Sequence, residues 1–281
     1  MNRFLFLCVL VMCVLTAHAQ RGDSKRSLTE VHHRLGVSSM HINDPYLSIL
    51  EYSGLGFRYD FTASKFLNPE RAKVSQIARL TGLGGLTLNP PSTARIMYMG
   101  GTASWGLQYH IRPIEEILLR AGANLEALYG YKQNTRNVNN PINMDIAANI
   151  NATLSAKFLI HTRKRTITFN ADLEVPMVGV MAVLPPGMTY WELSKSQDYF
   201  SVVHPTSIGN RQGFRGTYWF DIPLRYSTWS IGARNNTLKY IANDHLYSFL
   251  EYGVFVGVTY EFIRFSGRRN LAPHFFVSPK F

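Results

Sequence analysis

Long runs of strict period-two alternation decide what this chain can fold into. From Ile146 to Ile160 every even position is apolar, through Ala148, Ile150, Ala152, Leu154, Ala156 and Phe158, while the odd positions include Asn149, Asn151, Thr153, Ser155 and Lys157. Successive side chains of a strand point to opposite faces, so this is an extended segment with one apolar and one polar face. After a basic turn at Arg163 to Arg165 the pattern resumes with Ile167, Phe169, Ala171, Leu173, Val175 and Met177 against Thr168, Asn170, Asp172 and Glu174, which predicts a hairpin. The same alternation recurs at Leu55 to Phe61, Met97 to Ile111, Ile117 to Tyr131, Phe214 to Tyr226 and Tyr252 to Phe262, with a weaker, glycine-containing copy from Ala78 to Leu88. His32 to Ser39 and Leu271 to Phe281 each offer one more strand, although Pro273 and Pro279 count against the second.

Alternation alone suits a soluble sandwich as well as a membrane barrel. Length separates them: several runs reach about 15 residues, whereas soluble strands average about 5–6 and tilted membrane strands need about 9–11 plus extensions. The polar face is mostly Asn, Thr, Ser and Gly, and Tyr, Trp and Phe recur near the run ends, as an interfacial girdle requires. Only 17% of residues are charged, against about 25% in soluble domains. The expected fold is therefore an all-β, antiparallel transmembrane β-barrel of about ten strands, with eight as the alternative.

Energetics assign the faces. Arg58, Arg79, Arg120, Lys157, Arg215 and Arg225 lie on the polar face, and each would cost about 2–4 kcal/mol at the bilayer midplane. The polar face must then line the lumen, shared with Asp60, Glu126, Asp172, Glu174, Asp221, Glu251 and Glu261. Near-balanced signs point to a salt-bridge network filling a narrow barrel rather than to a single-sign ring that selects ions.

The N-terminus reads as an export signal over residues 1–19. A short positive start at Arg3 precedes the apolar run Phe4 to Thr16 and a small-x-small site at Ala17-His18-Ala19. Residues 20–45 then form an N-terminal segment with a possible first strand, and 46–281 the barrel. Both cysteines, Cys8 and Cys13, fall in the signal, so no disulfide framework or thiolate chemistry is expected of the mature chain. Losing Arg3 and no acid lowers the net charge from +11 to +10. For an exported chain that basic balance suits phosphorylated lipids and glycolipids rather than nucleic acid. The long connections Lys132 to Asn143 and Pro185 to Gly213 are separated by two strands and should emerge on one side, which requires a strand before Tyr46.

With an export signal, amphipathic strands and a terminal Phe281, the layout resembles small outer-membrane β-barrels of Gram-negative bacteria. Leu35-Gly36-Val37, followed by Asp44-Pro45-Tyr46-Leu47-Ser48 and Leu50-Glu51-Tyr52-Ser53-Gly54, is similar to the N-terminal pattern of an uncharacterised family of such exported barrels. The resemblance implies the outer membrane as location, its lipid and glycolipid and the barrel-assembly machinery as partners, and no established activity. Pro279 ahead of Lys280-Phe281 departs from the usual alternating ending.

Chemistry is thin in the sequence. His110, near Ser104 on the polar face, and the acid pair Asp172 and Glu174 are the hydrolase candidates; a lumen hydrogen bond and a charge match with Lys157 across the hairpin explain them more simply. Adjacent His32 and His33 point to opposite faces and lack a third ligand, so neither a metal nor a cofactor is expected. Three classes remain: a structural or interaction barrel with a filled lumen, which is favoured; a narrow channel for small solutes; and a membrane-embedded lipid hydrolase.

Overall fold

The computed structural model describes residues 26–262, apart from 164, 186, 225, 226 and 244, together with residues 276–279. After a short β1 (Arg26–Ser27), the chain lays down β2 (Thr29–Asn43), β3 (Tyr52–Phe66), β4 (Val74–Leu88), β5 (Arg95–Ile114), β6 (Ile117–Asn134), β7 (Ile142–His161) and β8 (Thr166–Ala182) as successive antiparallel neighbours. A helix α1 (Tyr190–Ser196) and a short β9 (Val203–Ser207) precede β10 (Arg211–Pro223), β11 (Thr228–Ala242) and β12 (His245–Phe262), and β13 (Phe276–Val277) follows. Pairing of β12 with β2 and of β10 with β8 closes ten long strands, β2–β8 and β10–β12, into an antiparallel barrel. No helix among the described residues is long and apolar enough to cross a membrane.

The count of ten agrees with the expectation, but its membership differs. The first barrel strand is β2, which falls within the N-terminal segment 20–45. The strand missing from the sequence reading is β11, which pairs along its whole length with β12. Its outward row runs Trp229, Ile231, Ala233, then Asn235, Thr237 and Lys239, while Leu238 and Tyr240 face inward, so its upper half inverts the alternation. The segment proposed as a closing strand, 271–281, contributes only Phe276–Val277, which pairs in parallel with Arg26–Ser27. Residues 271–275, 280 and Phe281 of it lie outside the described residues, as do the signal segment and Arg225.

Strand β8 carries a break in the wall that shapes the barrel. Ile150 pairs with Val178 and Asn151 with Pro176, so Met177 is an extra, bulged residue. Pro176 has no N–H to give a neighbour. Below the bulge β8 pairs with β10 through Thr168–Glu174, and above it β9 takes over that edge through Val178–Ala182.

The connections from β2 to β3, β4 to β5, β6 to β7, β8 to β10 and β11 to β12 lie at one end, called the upper end, so both long connections emerge together. The short turns 115–116 and 162–165 and both described termini lie at the lower end. Outward side chains form an apolar belt, with Leu55 at 73%, Leu125 at 58% and Val254 at 61% exposure. Inward side chains through the middle and lower barrel are mostly polar or charged and buried, with a few apolar ones such as Ile77, Trp219 and Phe255 among them.

The position of β11 in the wall gives the first prediction. Ile231 sits outward, the fourth residue of β11, between Phe220 and Val256. Ile231→Arg should destabilise the barrel by about 2–4 kcal/mol in phospholipid vesicles. The shift is read as the midpoint of urea unfolding; an unchanged midpoint would remove β11 from the lipid-facing wall.

Candidate functional site

The interior is where the sequence concentrates its chemistry. Nine cationic side chains (Arg34, Arg58, Arg79, Arg120, Lys132, Lys157, Arg211, Arg215, Arg234) and nine carboxylates (Glu30, Asp44, Asp60, Glu126, Asp145, Asp172, Glu174, Asp221, Glu251) are enclosed among the described residues. Most of their pairings cross the lumen rather than follow a ladder. Arg58 of β3 binds Asp60 through Nε at 3.0 Å and Glu251 of β12 through Nη1 at 2.8 Å, and Arg234 of β11 reaches Asp60 at 2.7 Å. Arg79 of β4 spans to β8, with Nη2 3.2 Å from Asp172 and Nη1 3.3 Å from Glu174. Arg215 of β10 forms a two-pronged pair with Glu126 of β6. Asn124 and Asn151 each donate to Glu174 Oε1, at 2.7 and 2.8 Å.

Lower down, Arg34 stacks 4.0 Å above the Trp219 ring, a cation–π contact in place of an ion pair. Asp221 accepts from Asn170, Trp219 Nε1 and Ser230. Glu30 lies 3.3 Å from His32 Nε2 and 3.9 Å from Lys157. Three small cavities of about 50, 40 and 20 Å³ separate these layers. Because one water needs about 10–15 Å³, each has room for only a few waters.

The upper end is closed differently. Leu47, from the 44–51 connection, is buried with Met40, Ile42, Tyr52, Ile96 and Tyr98 in an apolar cluster that continues to Tyr240, Tyr247 and Phe249. Beneath it lies Lys132, fully buried, with Nζ 2.5 Å from Asp44 and 2.8 Å from Asp145 and 4.1 Å over the Tyr247 ring. Tyr247 donates to Asp145 at 3.1 Å and Asn143 to Asp44 at 2.8 Å. Tyr190, at the start of α1, donates to Asn143 at 3.0 Å, and burial raises its phenol above the ordinary tyrosine range. Helix α1 itself is set by a capping box between Thr189 and Glu192, whose carboxyl is lowered by the Thr189 backbone and hydroxyl donors. One buried ammonium thus ties the 44–51 connection to β6 and β7, and the Asn143–Tyr190 bond adds α1.

Of the residues expected in the lumen, Arg58, Asp60, Arg79, Arg120, Glu126, Lys157, Asp172, Glu174, Arg215, Asp221 and Glu251 point into this interior. Glu261 stands exposed at the lower end of β12 and accepts from Ser278, and Arg225 lies outside the described residues. Two expected neighbours are corrected. The counter-ions of Asp172 and Glu174 are Arg79, Arg120 and Arg215, not Lys157, which faces Asn170 across the hairpin. His110 Nε2 lies 2.7 Å from Ser75 Oγ, not beside Ser104. That serine is 1% exposed and lines none of the described cavities, so the pair is a core hydrogen bond without room for a substrate. His32 faces inward to Thr259 and His33 outward to Tyr59, and no group of three or more potential metal ligands occurs among the described residues.

The family described as "Protein of unknown function (DUF3316)" matches residues 4–269. Among solved structures, the outer membrane protease OmpT from Escherichia coli is similar at 7% identity, covering 84% of this chain and 97% of that one, with a TM-score of 0.48. The translocator domain of the autotransporter NalP from Neisseria meningitidis is 8% identical over 93% of this chain and 96% of that one, with a TM-score of 0.39. The transport unit of the autotransporter AIDA-I from Escherichia coli is 10% identical over 88% and 94%, with a TM-score of 0.38. No curated protein matches the chain.

Lys132 gives the second prediction. Lys132→Met leaves two buried carboxylates without their cation and should cost about 3–5 kcal/mol of stability, read by urea unfolding in vesicles. Adding Asp44→Asn and Asp145→Asn to that variant should recover most of the loss, since the uncompensated charges are then gone.

Proposed function

We propose that this chain, which belongs to the DUF3316 family of proteins of unknown function, is an outer-membrane β-barrel of structural and interaction type. Its lumen is a charged core rather than a conduit, and its work is done on outer surfaces. The observation that carries this reading is the set of nine cations and nine carboxylates enclosed among the described residues, bridged across the lumen and separated by cavities of about 50, 40 and 20 Å³. A conducting pore needs a continuous polar path, and the apolar cluster around Leu47 and Tyr98 interrupts one at the upper end.

In this reading residues 1–19 direct export of a Gram-negative protein and are cleaved, and the upper end faces outward. The apolar belt meets outer-membrane lipid and glycolipid, and the upper connections meet whatever external ligand the protein has. The barrel-assembly machinery is the partner in folding. The terminal barrel strand is β12, which ends at Phe262 and closes the barrel against β2, so β12 rather than Phe281 is the strand that machinery would receive.

Two measurements test the proposal. In outer-membrane fractions the unheated protein should run faster in SDS gels than the boiled one. In planar bilayers the purified barrel should show no steady ion current. A soluble protein without a heat shift would overturn the membrane location, and a steady conductance would overturn the closed lumen.

A further inference from the structure

Once the inward face is accounted for, polar side chains on the outward face become the anomaly. The outward row of β2 reads His33, Leu35, Val37, Ser39 and His41 from the lower end upward. Around His41 three hydroxyl and carboxylate groups converge. Glu51 Oε1, just ahead of β3, lies 3.3 Å from His41 Nδ1. Ser53 Oγ, across the ladder from His41, lies 2.9 Å from the same nitrogen. Ser39 Oγ lies 3.4 Å from Nε2 on the opposite side of the ring.

We propose that Ser39, His41 and Glu51 form a nucleophile–base–carboxylate site on the outer face of the barrel that hydrolyses fatty-acyl esters of outer-leaflet lipid. The order is the one acyl transfer needs: a carboxylate 3.3 Å from one imidazole nitrogen, which is hydrogen-bonded to Ser53, and the other nitrogen facing a serine hydroxyl. In the tautomer the reaction uses, Nδ1 carries the proton toward Ser53 and Glu51, and Nε2 is bare to accept one from Ser39. The Ser39 contact is long for a hydrogen bond, as such contacts commonly are before substrate binds.

The surroundings define the substrate. Ser39 lies directly across from Tyr252 of β12 and Leu55 of β3, with Val37 two residues below on β2. These three side chains are 51%, 73% and 58% exposed and belong to the apolar belt, whereas Glu51 stands above it. The site therefore straddles an apolar and a polar zone. An acyl chain lying along the belt places its ester at the level of Ser39, as no water-soluble substrate would. This inference rests on the proposal that the belt is immersed in lipid.

In the reaction Ser39 Oγ attacks the ester carbonyl carbon while its proton passes to His41 Nε2. The tetrahedral adduct collapses, the C–O bond to the leaving alcohol breaks, and that alcohol departs with the proton from Nε2. Water then attacks the acyl-Ser39, gives its proton to Nε2, and the fatty acid leaves as Ser39 recovers that proton. Both ladders beside β2 are occupied, so an oxyanion donor must come from a side chain; Tyr252, about 5 Å from Ser39 between Cβ atoms, is the one the register offers.

The test uses the full barrel reconstituted in two kinds of vesicle, one of phosphatidylethanolamine and phosphatidylglycerol and one also containing an acylated glucosamine-disaccharide lipid. Release of free fatty acid is followed by mass spectrometry, and the vesicle that supports it identifies the ester's source. Ser39→Ala and His41→Asn should each lower the rate on the order of 10³-fold. Ser75→Ala should leave it unchanged. Glu51 is a positioning residue: Glu51→Gln should lower kcat with KM held, and Glu51→Asp should restore most of it. A fluorophosphonate should form an adduct on Ser39 that Ser39→Ala abolishes. No fatty-acid release from either vesicle and no adduct, in protein that inserts and shows the gel shift, would overturn the site while leaving the barrel reading intact. An adduct on Ser53 would overturn the assignment of the nucleophile. Protein that fails to insert or shift would instead overturn the barrel reading on which the site rests.

Discussion

Everything in this architecture follows from where charge is permitted. A wall whose outer side is lined by Leu55, Leu125 and Val254 cannot also carry arginine outward, because each one would cost about 2–4 kcal/mol at mid-bilayer. The cations therefore go inside, where they face the opposite problem: a buried ion without a partner is costly, and the cost is recovered only when geometry supplies counter-charge and further hydrogen bonds. Nine cations against nine carboxylates meet that demand in number. Arg79 reaching from β4 to β8, Arg215 from β10 to β6 and Arg234 from β11 to β3 meet it in space. Pairs that cross the lumen fix strands that are not neighbours, so the network braces the barrel and fills it at once.

At the upper end a different solution is reached. There the interior is largely apolar, and Lys132, set among the aromatics, meets two carboxylates and a ring face. Asp44 comes from the connection that folds inward and Asp145 from the wall, so the ion triad joins loop to barrel, and Asn134 adds a donor to the Leu47 carbonyl at 3.2 Å. A buried ion cluster is weak evidence for stability in itself, but it is demanding about geometry. Here that demand specifies how the 44–51 connection seats in the barrel mouth.

This inversion explains what sequence alone made legible. The fold class was readable because β3, β5, β6, β7, β8, β10 and β12 keep one apolar and one polar face for most of their length. Strand β11 was not, since Leu238 and Tyr240 turn inward into the upper cluster while Asn235, Thr237 and Lys239 turn outward. Arg234 was lost from the charge inventory with it. Lys132 and Arg211 escaped for a related reason: they sit where strands run past the apolar belt, at positions that read as connection, and Asp145 lies just ahead of the alternation that begins at Ile146. Partners across the lumen were beyond reach, because alternation gives a side chain's face and never its opposite number. Lys157 was near Asp172 in the hairpin sense, yet Arg79, four strands away, holds it.

The same logic governs where activity can reside. Ser75 and His110 have better hydroxyl-to-imidazole distance than Ser39 and His41, 2.7 against 3.4 Å. Distance does not decide between them, since a nucleophile must also meet its substrate, and Ser75 is sealed beneath the barrel wall. His41 has the reverse balance: looser geometry, a carboxylate on its far nitrogen, and exposure at the edge of an apolar surface. A barrel that uses its inward polar groups to hold itself shut leaves outward polar groups as the ones not consumed by folding. Sequence reasoning passed over His41 because it weighed histidines by the polar face, and this one lies on the row of Leu35 and Val37. On the proposed reading, in which lipid is the outer solvent, a serine, a histidine and a glutamate gathered at the rim of the apolar belt are the residues whose presence folding alone does not require.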